Sequence, residues 1–208
     1  MSLALSLFHA ARHPECVANA EKRMADGLLD APLTEKGLEQ AQNLAQLVAH
    51  LPCPSMIVHT GMIRTEQTAN VIRQVAPVPV IAVPQLKEQI AGDWSGKPLD
   101  EVLPLAMKDI DPPNGEKWRP DFVERINEGM SEVASRTKPR EAPPFLIVHG
   151  RVLDAMLELC GFDKLKTKVD NGAVLRFILR GKEWIIDTPN LRDRSIRYTL
   201  VNTLALQR

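Results

Sequence analysis

The sequence predicts an α/β fold, a three-layer αβα sandwich around a mainly parallel central sheet. Three observations predict it. Short apolar runs alternate with segments whose apolar residues recur at helical spacing, the pattern of parallel strands joined by crossover helices. The runs are bounded by proline, glycine or polar residues, which keeps them to strand length. The last apolar stretch, AVLRFILRGKEWIIDT, reads as a hairpin turning at Arg180-Gly181-Lys182, which adds antiparallel character at one edge.

Taken in order, Leu3 to Ala11 reads as a short buried strand. Thr34 is an N-cap, and Leu38, Ala41, Ala45 and Val48 then recur at helical spacing up to the stop at Pro52. Ser55–His59 is a second strand, followed by a helix over about 62–75. Val78–Val83 is a third strand. A region rich in proline and charge occupies about 97–120, with a helix over about 121–136 behind it. Pro143–Gly150 contains a strand and 152–159 a helix. The 208 residues, 44% of them hydrophobic, suit a single domain over 1–208, with an inserted lid or specificity segment at about 97–144.

Composition excludes several classes of function. With 26 basic and 26 acidic residues the formal charge is zero, so neither a nucleic-acid binder nor a membrane-surface protein is expected. Cys16, Cys53 and Cys160 form no CxxC pair and fit neither a zinc site nor a disulfide scaffold. The apolar run at the N-terminus is too short for a membrane span and lacks a basic leader. A cytoplasmic protein is expected, monomeric or homodimeric, acting on a small molecule.

Ligands of open α/β sheets bind beyond the carboxyl ends of the strands. The first strand ends in Arg12-His13 and the second in His59-Thr60, with Arg64 about one helical turn on. The third leads to Glu88, and the strand at 145–148 ends in His149. A lone histidine at a strand end is commonly structural. Two arginines and two histidines delivered to one sheet edge make a cationic pocket in a neutral protein, and its natural guest is a phosphoryl group.

These residues lie in motifs that resemble the histidine phosphatase superfamily, the phosphoglycerate-mutase-like proteins. RHPECVAN is similar to Arg-His-Gly-Glu-Thr-x-x-Asn, and DAPLTEKGLEQA to Asp-x-Pro-Leu-Thr-x-x-Gly-x-x-Gln-Ala. HTGMIRTEQTA resembles Ser-Ser-Pro-Leu-x-Arg-x-x-Gln-Thr-Ala. LKEQIAGDWSGK resembles Leu-x-Glu followed by Gly-x-Trp-x-Gly, and FLIVHG the second histidine strand. They occur in family order from about Leu3 to Asn171, and the small broad-specificity phosphatases are the nearest members.

The resemblance implies that His13 is a nucleophile forming a phosphohistidine. Arg12, Arg64 and His149 would surround the phosphoryl oxygens, with Asn19 adding a hydrogen bond and Thr60 either offering its hydroxyl or orienting the loop. Glu88 would protonate the leaving alkoxide and later activate water, which requires a raised pKa. Glu15 would hold neighbouring groups and take no chemical step, Trp94 would pack, and Lys117 would be a solvated lysine. No carboxylate cluster for Mg²⁺ and no glycine-rich phosphate loop stands in the chain, so no metal or cofactor is expected.

Pro14 replaces the family glycine after the nucleophile and removes a backbone N–H. His59 and Gly61 replace a serine and a proline, and His9 falls inside the first strand, where a structural role is expected. The leading expectation is hydrolysis of a small phosphomonoester. A phosphoglycerate mutase and a catalytically quiet protein-binding module are the alternatives. The modest span from Glu88 to His149 favours hydrolysis, and retention of Glu88 argues against a binding module. The substrate is not legible.

Overall fold

Alternation along the strands decides which helices cover which face. The computed structural model describes residues 5–106, 108, 110–138, 141–161, 171, 173–180 and 183–186. Its strands are β1 (Leu5–Arg12), β2 (Ile57–His59), β3 (Val80–Ala82), β4 (Phe145–Val148), β5 (Val174–Arg180) and β6 (Glu183–Ile186). They form one sheet in the order β3-β2-β4-β1-β5-β6. The first four in that order run parallel, while β5 pairs antiparallel with β1 and β6 antiparallel with β5.

The helices are α1 (Val17–Ala20), α2 (Glu35–Ala49), α3 (Ile63–Arg73), α4 (Leu99–Ala106), α5 (Val123–Arg136) and α6 (Gly150–Leu159). On β4, Phe145 and Ile147 face one way and pack with Leu44, Ala45 and Val48 of α2 and Ala69 and Ile72 of α3. Leu146 and Val148 face the other way, against Ile126 and Met130 of α5 and Val152, Leu153 and Met156 of α6. Both faces of β4 are therefore apolar, and β4 reads as an unbroken hydrophobic run because it lies at the centre of the sheet. The three layers and the mainly parallel sheet agree with the sequence reading. No helix among the described residues is long and apolar enough to cross a membrane.

Two differences are informative. The proline-rich region contains α4, with Pro104 inside it. Tertiary contact overrides the local signal, since Val102 is buried with Ala91 and Trp94. Pro104 lacks the N–H that would bond the Asp100 carbonyl, so the helix has one interior hydrogen bond fewer. The short α1 was also missed. Its entry is held by the Asn19 Oδ1, which accepts from the Cys16 N–H at 3.3 Å and the Cys16 thiol at 3.2 Å. The hairpin strands are present, while its turn at 181–182 and the first residues of the predicted opening strand, Leu3 and Ala4, lie outside the described residues.

The helix α2 holds the loop that follows β1. Thr34 caps it, accepting from the Gly37 N–H at 2.9 Å, and donates to the Glu15 carboxylate at 3.0 Å. A Cβ at Gly37 would stand 2.0 Å from the Glu15 carbonyl oxygen, so only glycine permits this approach. Glu15 also pairs with Lys36 at 2.9 Å, which agrees with its expected holding role. Thr34→Ala is therefore expected to cost about 1–2 kcal/mol, the range for losing an N-cap. Thr34→Ser should retain most of it; urea denaturation of both variants measures the difference.

Candidate active site

Register places the site. Arg12 on β1 pairs with Val148 on β4, and the His13 N–H continues the ladder to the Val148 carbonyl at 2.9 Å. The residues just beyond, His13 and His149, thus become neighbours, with ring centroids 5.1 Å apart. β2 flanks β4 on the other side, and the Thr60 hydroxyl meets His149 Nε2 at 2.9 Å. Gly150 lies against Arg12, where an added Cβ would come within 3.4 Å of the guanidinium Nε. The Asn171 side chain donates to the His13 carbonyl at 2.8 Å.

Arg64 enters from the first turn of α3 and is fully buried. Its Nη1 donates to the Leu29 carbonyl and its Nη2 to the Asp26 carbonyl, each at 3.2 Å, while Asp30 stands 3.5 Å away. Its Nε has no partner. Glu88, also buried, accepts from its neighbour Gln89 N–H at 2.9 Å and from the Arg151 N–H in the first turn of α6 at 3.3 Å. The backbone around Glu88 is fastened by Arg125 of α5, which donates to the carbonyls of Gln85, Lys87 and Glu88 and forks onto Glu116 at 2.7 Å.

The ring protons follow from hydrogen-bond inventory. His13 Nδ1 is 2.7 Å from the Pro14 carbonyl, which can only accept, so Nδ1 carries the proton and Nε2 keeps its lone pair. Thr65 gives its hydroxyl proton to the Met62 carbonyl at 2.8 Å, so Thr60 must donate to Thr65 across 3.0 Å. Thr60 then accepts from His149 Nε2. The neutral His149 ring carries its proton there, leaving Nδ1 as a buried nitrogen without a partner. The two rings are thus pinned through opposite nitrogens.

Electrostatics keeps both rings uncharged. Burial, then Arg64 and Arg12, hold His13 well below the ordinary histidine value of 6.5. Burial and Arg64, with His13 and Arg12, do the same to His149. Burial raises the Glu88 carboxyl, against the opposing pull of the Gln89 N–H and Arg64. Arg64 acts on all three groups, and Arg12 on both rings, so the five residues share one site.

All seven predicted residues are accounted for. Arg12, His13, Arg64, Glu88 and His149 come together. Asn19 joins the same loop, its Oδ1 spent on Cys16. Thr60 differs from expectation: its hydroxyl proton is committed to Thr65, so it orients His149 instead of offering a donor to an anion. His9 is buried against Phe145, its pKa lowered to about 4 by burial and Arg176, a structural position as expected. Trp94 is buried in a small apolar cluster and Lys117 is exposed. The cysteines are free, and burial pushes Cys160 up to about 12. Sequence reasoning missed Asp26, Thr65 and Arg125, which stand away from the strand ends and hold the marked residues, or the groups around them, through hydrogen bonds.

The lowered histidine values carry a stability consequence. Below pH 6.5 an unfolded chain protonates these rings and the folded chain does not, so stability present above that value falls as pH drops. Each fully neutral ring contributes a slope of about 1.4 kcal/mol per pH unit. His149→Gln should flatten the fall in Tm between about pH 6.5 and 5. An unchanged slope in the folded variant would mean that His149 is not buried in neutral form.

Comparison with known proteins agrees with this geometry. The family model of the histidine phosphatase superfamily (branch 1) matches residues 8–192. The probable phosphoglycerate mutase GpmB of Yersinia pestis (strain Pestoides F) is 31% identical over 162 residues, 70% of each chain. Among solved structures, a mycobacterial glucosyl-3-phosphoglycerate phosphatase superposes with a TM-score of 0.75 at 23% identity, covering 88% of this chain and 98% of its own. A phosphoglycerate mutase from Bacillus anthracis str. Sterne gives 0.76 at 19%, covering 90% and 93%. At these identities the structural likeness is one of fold, while the family match rests on the sequence. The chain belongs to the histidine phosphatase superfamily, and it is a phosphoryl-handling enzyme.

Proposed function

We propose that the protein is a metal-independent phosphatase that hydrolyses a small phosphomonoester through a phosphohistidine on His13. The observation that carries this reading is the pinned, neutral His13 ring: its Nδ1 proton is fixed on the Pro14 carbonyl, so the lone pair on Nε2 is the nucleophile. Arg12, Arg64 and the Asn19 amide hold the phosphoryl oxygens, and His149 joins them once its bare Nδ1 takes up a proton beside the bound dianion. The unpartnered Arg64 Nε and His149 Nδ1 are the atoms with donor or proton-accepting capacity left inside the site. Thr60 acts through His149.

In the first step Nε2 attacks phosphorus, the P–O bond to the leaving alcohol breaks, and Glu88 gives that oxygen its proton. In the second, the Glu88 carboxylate takes a proton from water, the resulting hydroxide attacks phosphorus, and the N–P bond breaks to release phosphate and neutral His13. A carboxyl raised by burial suits the first role, since it stays protonated closer to neutral pH. Specificity falls to the 97–117 part of the predicted 97–144 segment, since Trp118, Phe122 and α5 pack in the core. Free thiols at Cys16, Cys53 and Cys160 suit the cytoplasm.

The mutase reading has support from the 31% identical relative. Product analysis separates the two: hydrolysis in ¹⁸O-water puts label into inorganic phosphate, whereas a mutase returns an unlabelled positional isomer. Brief exposure to a phosphorylated substrate should label His13 as an acid-labile, base-stable adduct. His13→Ala should abolish label and turnover, and a chelator should change neither. Glu88→Gln should slow an alkyl phosphate by about 10²-fold or more, the usual contribution of an acid, and an activated aryl phosphate far less. Equal losses on both substrates would remove Glu88 from the acid's role.

Pro14→Gly keeps the carbonyl that holds His13 and adds an N–H. It should leave the fold intact and keep or modestly raise kcat/KM, and loss of turnover in a folded protein would show that the proline itself is needed.

A further inference from the structure

Asp26 is fully buried, and the mechanism above gives it no step. Its carboxylate accepts four hydrogen bonds from two separate loops. Oδ1 takes the N–H groups of Leu28 and Leu29 at 3.2 and 2.8 Å and the Ser95 hydroxyl at 2.8 Å. Oδ2 takes the Ala91 N–H at 2.9 Å. The first two bonds curl residues 26–29 into a turn of the type that aspartate stabilises through its own side chain. Two carbonyls of that turn, Asp26 and Leu29, are the ones that receive the Arg64 guanidinium. The other two bonds fasten the segment directly after Glu88.

The turn and that segment also touch through backbone. The Gly27 N–H donates to the Gln89 carbonyl at 3.0 Å, and a Cβ at Gly27 would lie 2.6 Å from the Glu88 carbonyl oxygen. We infer that Asp26 is a positioning residue that fixes Arg64 and Glu88 relative to each other. The distance between the arginine that binds the phosphoryl group and the proton donor is thereby held by one buried carboxylate, beside the Gly27–Gln89 backbone bond. This rests on the proposed roles of those two residues.

The chemistry demands a carboxylate rather than an amide of the same shape. Four donors converge on Asp26. An asparagine with its oxygen toward Leu28, Leu29 and Ser95 would aim its NH₂ at the Ala91 N–H. The flipped amide would aim it at two backbone N–H groups. Either orientation leaves donors facing donors, so isosteric replacement preserves volume and loses the clamp.

The test compares Asp26→Asn and Asp26→Ala with wild type and with Glu88→Gln. Both Asp26 variants should lose about 10²-fold on an alkyl phosphate, as misplacement of a catalytic group by an ångström costs, and bind inorganic phosphate more weakly by calorimetry. The loss on p-nitrophenyl phosphate should be several times smaller, and Asn should be no better than Ala. Ser95→Ala, which removes one donor and leaves the carboxylate in place, should fold and show the same leaving-group bias to a smaller extent. It keeps the idea open to refutation if the Asp26 variants do not fold.

Rescue by Asn, or equal losses on both substrates that track a lowered Tm, would make Asp26 a filler of space and overturn the proposal. So would a Ser95→Ala enzyme without the bias. Failure of the parent reading registers elsewhere, as an inactive wild type or a Glu88→Gln variant without leaving-group bias. In that event phosphate affinity still decides whether Asp26 holds Arg64: weaker binding in Asp26→Asn or, if that variant is unfolded, in Ser95→Ala supports it, and unchanged binding overturns it.

Discussion

A guanidinium cannot shed its proton at any pH a protein tolerates, so burying Arg64 completely commits everything placed around it. An uncompensated buried charge costs several kcal/mol even after relaxation, roughly the whole stability margin of a small domain. The fold answers with two backbone carbonyls on the guanidinium and one carboxylate, Asp30, at 3.5 Å. That ion pair is longer than a direct hydrogen bond and Asp30 is partly exposed, so it offsets the charge only in part. The remaining field falls on His13, His149 and Glu88, which are all shifted by it in the direction of less positive or more negative charge. For Glu88 burial opposes that field and wins, and for the two rings burial and field act together. A site built this way keeps both histidines neutral while staying cationic as a whole, and a phosphoryl dianion is the guest such a field favours.

Neutral imidazoles have a second requirement, which is tautomer. A ring with an unassigned proton presents a donor where a lone pair is needed half the time. His13 is fixed by a backbone carbonyl and His149 by a run of two threonine hydroxyls ending on the Met62 carbonyl. The two devices differ because the rings are approached from different strands. β1 runs straight into the Pro14 turn, so its own backbone reaches Nδ1. His149 stands beyond β4, between β1 and β2, and the Thr60 hydroxyl just past β2 meets its Nε2. Position in the strand order therefore decides which nitrogen of each ring is left for chemistry.

Much of the fold was legible because parallel topology turns a motif at a strand end into a place in space. Arg12-His13, His59-Thr60 and His149 each stand where an apolar run stops, and the order of β2, β4 and β1 brings them side by side. The helix α4 was hidden by Pro104 and by charge, because its one fully buried residue, Val102, packs on Ala91 and Trp94 outside the helix. Thr60 was visible as a hydroxyl near the pocket, but its use was not. Whether a hydroxyl proton is free depends on Thr65 and Met62, and that chain of donors exists only once the α3 entry folds back on β2. Asp26 was silent for the same reason: two of its four partners lie 65 and 69 residues away, in a loop whose motif does not say which residue it binds.

Pro14 shows how a departure from a family pattern is read once contacts are known. A residue before proline is pushed toward extended geometry, and His13 needs that geometry to continue the β1–β4 ladder through its N–H to Val148. Around it the N–H of Glu15 goes to Gln40, that of Cys16 to Asn19 and that of Val17 to the Pro32 carbonyl. With those amides spent on protein acceptors, position 14 is where a glycine would have offered an N–H to an anion. The proline removes it and keeps the carbonyl, which is the group that fixes the His13 ring. With that N–H gone, an anion in this loop meets side chains, and the positive charge of the site comes from Arg12 and Arg64, since both histidine rings are held neutral.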